Sequence, residues 1–253
     1  MSSYQCCPGH REQYYDLLLK HLEETKEFRK QIYDRVNIAN VRRILEIGCR
    51  MGYLTKEIRE FSNAQITAID SDHKILAEAM DRVSGVEFYR ETGEKLSMRD
   101  ESFDVIISHY LFMWADKPFG SLMELVRVCK PNGYVIAIAE PDIKAWIEDP
   151  DLGFEDYQYE VVRKLQGNPE IGRKLYALFT SAGLETDIYV NVHIWEEKSM
   201  KDFVLKGWQI VQDEGILTPE ECQAKIEKEL EIIESHLRFL AIPTITAVGR
   251  KKS

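Results

Sequence analysis

The sequence has few of the features that mark secreted, zinc-binding or membrane-spanning chains. Its five cysteines are an odd number with no repeated Cys-x-x-Cys spacing, which argues against a disulfide framework or a zinc ribbon. The longest apolar run, residues 105–114, is interrupted by Ser108 and His109 and is far shorter than the roughly 20 residues that span a bilayer. The N-terminal residues lack the basic and then apolar pattern of a signal peptide. We therefore expect a cytoplasmic protein with reduced thiols and no membrane partner.

Basic residues are also fewer than acidic ones: the sequence has 33 lysines and arginines and 43 aspartates and glutamates, which gives a net charge of -10. Nucleic-acid binding depends largely on basic side chains that neutralise phosphates, so we expect no nucleic-acid partner. The stretch Cys6-Cys7-Pro8-Gly9-His10 contains metal-ligating residue types. Adjacent cysteines chelate one ion poorly and no second ligand pair follows, so we predict no metal site.

Strand-like apolar runs alternate with amphipathic helical runs through most of the chain. The sequence pattern predicts strands at 43–47, 65–70, 86–89, 103–108, 134–139, 185–195 and 245–248, and helices at 52–61, 72–83, 119–129, 168–182, 199–213 and 219–240. This order predicts an α/β fold in which a mostly parallel sheet carries helices on both faces.

Three segments do not fit the alternation. Residues 1–40 are charged with apolar residues at helical spacing, and we interpret them as an N-terminal helical cap on a domain at 41–253. Helical inserts are predicted at about 143–170 and 196–240. All three segments flank the carboxyl ends of strands, where open α/β sheets bind ligands, so we expect them to form a lid.

The stretch "ILEIGCRMGYLT", residues 44–55, is a strand, a glycine turn and a helix in sequence. Such a turn brings backbone N–H groups and a helix N-terminus towards a nucleotide-type ligand. A dinucleotide fingerprint needs Gly-x-Gly-x-x-Gly, whereas Arg50 and Tyr53 occupy the second and third glycine positions here. The pattern of Glu46, Gly48 and Gly52 instead resembles motif I of the class I S-adenosylmethionine-dependent methyltransferases.

The resemblance extends over residues 41–142. "ITAIDSDHKIL" resembles the second strand of that family, with Asp70 at the position that accepts hydrogen bonds from the ribose hydroxyls. "VEFYRETGEKLSMRDESFDVIISHYLFMW" resembles the third and fourth strands with the adenine loop, and "LVRVCKPNGYVIAIAEPD" the region of the fifth strand. The resemblance implies a Rossmann-like fold with a seven-stranded, mostly parallel sheet, and S-adenosylmethionine as cofactor. The implied cofactor-binding residues are Glu46, Gly48, Cys49, Gly52, Asp70, Ser71, Thr92, Gly93, Glu94, Ser108 and His109.

Two positions depart from the family pattern. Thr92 stands where many members carry an aspartate that accepts from the adenine amino group, and Thr92 or Glu91 is the candidate substitute. Arg50 stands between the glycines. An arginine that points inwards would add positive charge beside the cationic sulfonium, so we expect Arg50 to point outwards or to pair with a carboxylate.

Three residues are candidates for removing a proton from a methyl acceptor: His109 after the fourth strand, and Glu140 and Asp142 after the fifth. A packed imidazole is an equally good interpretation of His109, and Asp70 could instead cap a helix. Because methyl transfer from a sulfonium mainly requires alignment and exclusion of water, a base is not required for every acceptor.

The leading hypothesis is an enzyme that methylates a small molecule and releases S-adenosylhomocysteine. The alternative is a protein that keeps the fold and binds the cofactor in a regulatory or partner role, which the departures at Arg50 and Thr92 favour. We also expect the lid to enclose an acceptor pocket lined by aromatic residues, unless these cover the sheet or form a homodimer contact. The aromatic residues concerned are Tyr14, Tyr15, Trp146, Phe154, Tyr157 and Trp208.

Overall fold

The computed structural model describes residues 19–253, in which eight strands form one sheet. The strands are β1 (Arg43–Ile47), β2 (Gln65–Asp70), β3 (Val86–Arg90), β4 (Phe103–His109), β5 (Cys129–Pro141), β6 (Ile147–Asp149), β7 (Leu184–Ile194) and β8 (Phe239–Lys251). The order β3-β2-β1-β4-β5 is parallel throughout. Strand β8 follows β5 and is antiparallel to β5, β6 and β7. The predicted mostly parallel α/β sheet is confirmed, with β6 as one strand more than the seven expected.

Helices cover both faces of this sheet. Beyond a helical stretch at residues 19–24, they are α1 (Lys26–Arg35), α2 (Tyr53–Phe61), α3 (His73–Arg82), α4 (Pro118–Val128), α5 (Phe154–Lys164), α6 (Ile171–Ser181), α7 (Glu197–Asp213) and α8 (Pro219–Glu234). One core cluster joins the sheet to α4 and α6, and a second joins its other face to α1 and α2. Because both faces are covered, the central strands are continuous apolar runs rather than alternating ones.

A buried ion pair fixes the N-terminal helices to the domain. Arg29 is 1% exposed and Glu57 on α2 is 9% exposed. Arg29 donates from Nε and Nη2 to the two Glu57 carboxylate oxygens at 2.8 and 2.5 Å, and also to the Leu22 carbonyl at 2.5 Å. The Tyr33 hydroxyl donates to the same carboxylate at 3.0 Å. This network holds residues 19–24 beside the carboxyl ends of the strands.

The two predicted inserts pack mainly against each other. Helices α5, α7 and α8 share an apolar cluster that includes Phe154, Val204 and Trp208. The ring centroids of Phe154 and Trp208 are 5.2 Å apart. Arg238, 1% exposed at its side chain, pairs with Glu148 at 2.5 Å and with Glu229 at 2.8 Å. The insert aromatic residues therefore form a core of their own, contrary to the expected pocket lining. Tyr14 and Tyr15 lie outside the described residues, as do Cys6, Cys7 and His10.

Several element boundaries differ from the predicted ones. Strand β5 begins five residues earlier than expected, with a positive φ of 63° at Asn132, and β8 begins at Phe239 rather than at 245. Helix α8 ends at Glu234 and not at 240, and His236 beyond it has a φ of 58°. Within residues 19–253, none of the helices combines the length and apolar character that crossing a membrane requires.

Candidate cofactor site

A cavity of about 280 Å³ opens where β1, β2, β3 and β4 reach their carboxyl ends. This is the edge at which open α/β sheets bind ligands. The cavity is lined by Ile47, Gly48, Arg50, Asp70, Ser71, Asp72, His73, Lys74, Ile75, Arg90, Glu91, Thr92, Gly93, His109, Tyr110, Leu111 and Trp114. Five of the predicted cofactor residues after the glycine turn are among them: Asp70, Ser71, Thr92, Gly93 and His109.

The turn between β1 and α2 has an unusual backbone because three of its residues are left-handed. Gly48, Arg50 and Gly52 have φ values of 73°, 49° and 78°, a region that glycine adopts without strain. A Cβ on Gly52 would lie 3.1 Å from the Cα of Ala79, so this position also lacks room for a side chain. The N–H groups of Gly48 and Cys49 donate to the Ile69 carbonyl at 2.8 and 3.0 Å, which locks the turn to the end of β2.

Asp70, the last residue of β2, faces this turn. One of its carboxylate oxygens accepts from the backbone N–H of Arg50 and the other from that of Asp72, both at 2.9 Å. Burial raises the pKa of Asp70, while these two N–H donors and the charge of Arg50 oppose the rise. Each carboxylate oxygen can accept more than one hydrogen bond. Asp70 is therefore oriented at the cavity wall with acceptor capacity to spare.

The loop after β3 forms the wall beside Asp70. Glu91 accepts from the backbone N–H of Ser97 at 3.0 Å and from its hydroxyl, so its carboxylate is engaged within the loop. Thr92 and Gly93 line the cavity, whereas Glu94 does not. Ser108 is buried in β4 with its hydroxyl 3.4 Å from the Ile136 carbonyl and does not reach the cavity.

His109 lies at the other end of the cavity in a group of three rings. Its ring centroid is 4.9 Å from that of Tyr110 and 5.8 Å from that of His21 in the N-terminal helical residues. His109 is 7% exposed, and its Nε2 has no hydrogen-bond partner within residues 19–253. Burial, with the nearby His21, Arg29 and Arg50, holds the pKa of His109 well below its usual value of 6.5. The imidazole is therefore neutral at pH 7.

A second, smaller cavity of about 20 Å³ lies between the glycine turn and the N-terminal helical residues. Its lining shares Gly48, Arg50 and His109 with the larger cavity and adds Leu19, Leu22, Glu46, Cys49, Met51, Tyr53 and Leu54. Glu46 is 1% exposed, and its Oε2 makes no hydrogen bond to any part of the chain that the structure describes. Burial raises the pKa of Glu46 to about 8.

Arg50 lines both cavities. Its positive charge acts on groups at the ends of three different strands. It lowers the pKa of Asp70 and Glu140, which burial raises. It also lowers the pKa of His109, in the same direction as burial. The guanidinium is therefore close enough to act on two carboxylates, and the expectation that it points outwards or pairs with a carboxylate stays a prediction.

The structure gives Glu140 and Asp142 structural partners instead of a place at the cavity. Glu140 is fully buried and accepts from the backbone N–H groups of Leu111, Phe112 and Met113 at 2.8, 2.8 and 3.0 Å. Burial raises the pKa of Glu140 to about 7, against these three donors. Asp142 is bound by Arg173 through Nε and Nη2, with a shortest distance of 2.7 Å. Both carboxylates hold the backbone around the site, and neither lines either cavity, which argues against them as proton acceptors.

Sequence reasoning missed several residues that line the larger cavity, above all Tyr110, Leu111 and Trp114. Tyr110 has a φ of 50°, a strained conformation for a bulky residue that is enriched at functional sites. No residue pattern signals such a φ. The signal that was available is position, because all three follow β4 directly.

Comparison with known proteins agrees with this geometry. A family model described as a methyltransferase domain matches residues 45–137. A malonyl-[acyl-carrier protein] O-methyltransferase of Bacillus cytotoxicus is 33% identical over 179 residues, which cover 68% of this chain and 60% of that protein. The chain thus spans less than two thirds of the length of this curated relative.

Solved structures share the fold at low sequence identity. The YcgJ protein of Bacillus subtilis has a TM-score of 0.57 at 16% identity, over 87% of this chain and 97% of that one. The phosphoethanolamine N-methyltransferase 2 of Haemonchus contortus, solved with phosphomonomethylethanolamine and S-adenosylhomocysteine, has a TM-score of 0.53 at 14% identity, over 85% of this chain and 50% of that one. With the strand order and the glycine turn, these findings identify a methyltransferase domain at residues 45–137 within a Rossmann-like fold shared with these solved structures.

Proposed function

We propose that this protein binds S-adenosylmethionine at the carboxyl ends of β1, β2 and β4 and transfers its methyl group to a small acceptor, free or carried on a protein. The observation that carries the proposal is Asp70. Its two oxygens are held by backbone N–H groups at 2.9 Å and keep capacity for two further donors, which the two ribose hydroxyls would supply.

The other residues of the cavity suit the same cofactor. Thr92 and Gly93 line the end where the adenine would lie, and Gly48, which lines the cavity, has no side chain that would keep a ligand from its backbone. Glu46 offers a buried carboxylate oxygen without a partner in the described part of the chain, and an ammonium group would satisfy it. When bound, the cofactor supplies a methyl group on a sulfonium, which is activated for in-line displacement.

The protein itself contributes alignment and exclusion of water. Tyr110, Leu111 and Trp114 form an apolar and aromatic wall beside His109. Such a wall lowers the local dielectric and holds the acceptor against the methyl group. We place His109 at this wall as a contact residue for the acceptor.

The neutral state of His109 bears on the type of acceptor. Its conjugate acid is destabilised by burial and by neighbouring positive charge, so the imidazole is a weak proton acceptor. An acceptor that arrives without a proton to lose, such as a carboxylate, suits this site. The name of the Bacillus cytotoxicus relative, a malonyl-[acyl-carrier protein] O-methyltransferase, supports an oxygen acceptor of this kind.

The test is calorimetric titration of the protein with S-adenosylhomocysteine. Asp70→Ala removes two charge-assisted hydrogen bonds, each worth about 1.5 to 3 kcal/mol, and should weaken binding by roughly 100-fold or more. Asp104→Ala is the matched control. Asp104 also accepts from backbone N–H groups, those of Arg42 and Arg43 at 3.1 and 2.8 Å, but it lies at the amino end of β4, so this variant should bind as the wild type does. Unchanged affinity in Asp70→Ala would refute the assignment.

The second candidate function is a cofactor-binding protein without transferase activity. Arg50 and Thr92, the two departures from the family pattern, favour it because both line the cavity. The two functions share the binding site and differ in turnover, so an assay of methyl transfer separates them once binding is established.

A further inference from the structure

Arg50 is a charged residue at a position where motif I of the family has glycine, and it lines two cavities beside the turn. It lines the cavity of about 280 Å³ and also the smaller one of about 20 Å³. Its φ of 49° is a costly conformation for a residue with a Cβ. A strained and charged residue that lines two adjoining cavities is a candidate for ligand contact.

The position of the two cavities indicates which part of a ligand Arg50 would meet. Asp70 and Thr92 mark the ribose and adenine end of the larger cavity under the proposed function. Gly48, Arg50 and His109 mark its opposite end, where the smaller cavity adjoins. A cofactor with its ribose at Asp70 would therefore extend its amino-acid portion over the end of β1 towards Arg50.

The charges at this end match an α-amino acid. That group carries one ammonium and one carboxylate, and the residues that line the smaller cavity include one carboxyl residue, Glu46, and one arginine, Arg50. Glu46 is 1% exposed, with an oxygen that has no partner among residues 19–253. A buried polar atom of this kind points to a ligand donor, and a guanidinium is well suited to bind a carboxylate.

We infer that Arg50 binds the α-carboxylate of the cofactor beside the ammonium group that the proposed function places at Glu46, so that Arg50 selects ligands that carry the amino-acid portion. The inference rests on the proposed function. It also explains how an arginine can be accommodated near a sulfonium: its charge is compensated by a carboxylate of the same ligand.

The inference is tested by comparing two ligands in calorimetric titrations. S-Adenosylhomocysteine has the amino-acid portion, and 5′-methylthioadenosine has the same adenosine and thioether without it. Arg50→Met should weaken S-adenosylhomocysteine by roughly 10- to 100-fold, as expected for one charge-assisted contact, and leave 5′-methylthioadenosine within about 2-fold. Arg50→Lys should retain most of the affinity, because it keeps the charge.

Arg90→Met is the matched control, since Arg90 lines the larger cavity at the adenosine end and donates from Nε to the Ser71 carbonyl at 3.1 Å. It should affect both ligands equally. Retained binding of 5′-methylthioadenosine also shows that Arg50→Met is folded. If the wild type binds neither ligand, the proposed function is wrong and this inference with it. If the wild type binds both and Arg50→Met leaves their affinity ratio unchanged, the inference alone is wrong.

Discussion

Replacing Glu46 with glutamine should abolish a proton release that accompanies cofactor binding. Burial raises the pKa of Glu46 to about 8, so at pH 7 this carboxyl is mostly protonated. An ammonium group that binds at this carboxyl favours its charged form and lowers its pKa. Binding of S-adenosylhomocysteine at pH 7 should therefore be accompanied by proton release from the wild type.

The assay is calorimetric titration in buffers of different ionisation enthalpy, because a released proton adds the heat of buffer protonation to the observed heat. The wild-type heat should depend on the buffer at pH 7 and lose this dependence near pH 9, where Glu46 is already ionised. Glu46→Gln should show no such dependence at pH 7. Equal buffer dependence in the variant and the wild type would refute the role given to Glu46.

The same carboxyl should affect the pH dependence of folding stability. In the unfolded chain it loses its proton near pH 4.5, whereas in the folded protein it keeps the proton to about pH 8. The unfolded state then binds fewer protons between these values, so the free energy of unfolding decreases as the pH rises through this window. Urea denaturation at several pH values should show a smaller decrease in Glu46→Gln than in the wild type.

Two further predictions concern the N-terminal helices and His109. Arg29→Met leaves Glu57 buried without its bidentate partner. Because loss of one member of a buried ion pair costs about 3 to 5 kcal/mol, urea denaturation should show a decrease of this size in the free energy of unfolding. A decrease below about 1 kcal/mol would contradict the anchoring role. His109→Phe should keep turnover of the best acceptor within about 10-fold, because its proposed role is contact and not proton removal; a loss of 100-fold or more, typical of a general base, would identify His109 as the proton acceptor.

The sequence predicted the sheet well because its strands carry strong signals. Strands β1, β2 and β4 are short, largely apolar runs, and their predicted boundaries differ from the structure by at most one residue. The start of β8 was misplaced because residues 235–244 mix a helical turn with extended chain. Strand β6 has three residues, too few for any periodicity to be visible.

The site was predicted only in part, for a physical reason. Gly48 and Asp70 were identifiable because they occupy fixed positions in a linear motif. The positions of Arg50, Glu140 and Asp142 depend instead on tertiary contacts. Glu140 meets three N–H groups that begin a turn after β4, and Asp142 meets Arg173 from α6, thirty-one residues away. Such partners cannot be inferred from spacing, so a carboxylate that supports the backbone is indistinguishable in the sequence from a catalytic one.

The direct test of the central claim is methyl transfer from labelled S-adenosylmethionine by the full chain. The wild type would be incubated with acceptors that carry a carboxylate, including acyl thioesters with a free carboxyl group, and in parallel with acceptors that offer only a hydroxyl. The expected product from the first group is a methyl ester, which releases its label as methanol in alkali. Cofactor binding without labelled product from any acceptor would contradict the claim that the protein is an enzyme, and label on the hydroxyl acceptors alone would contradict the type of acceptor.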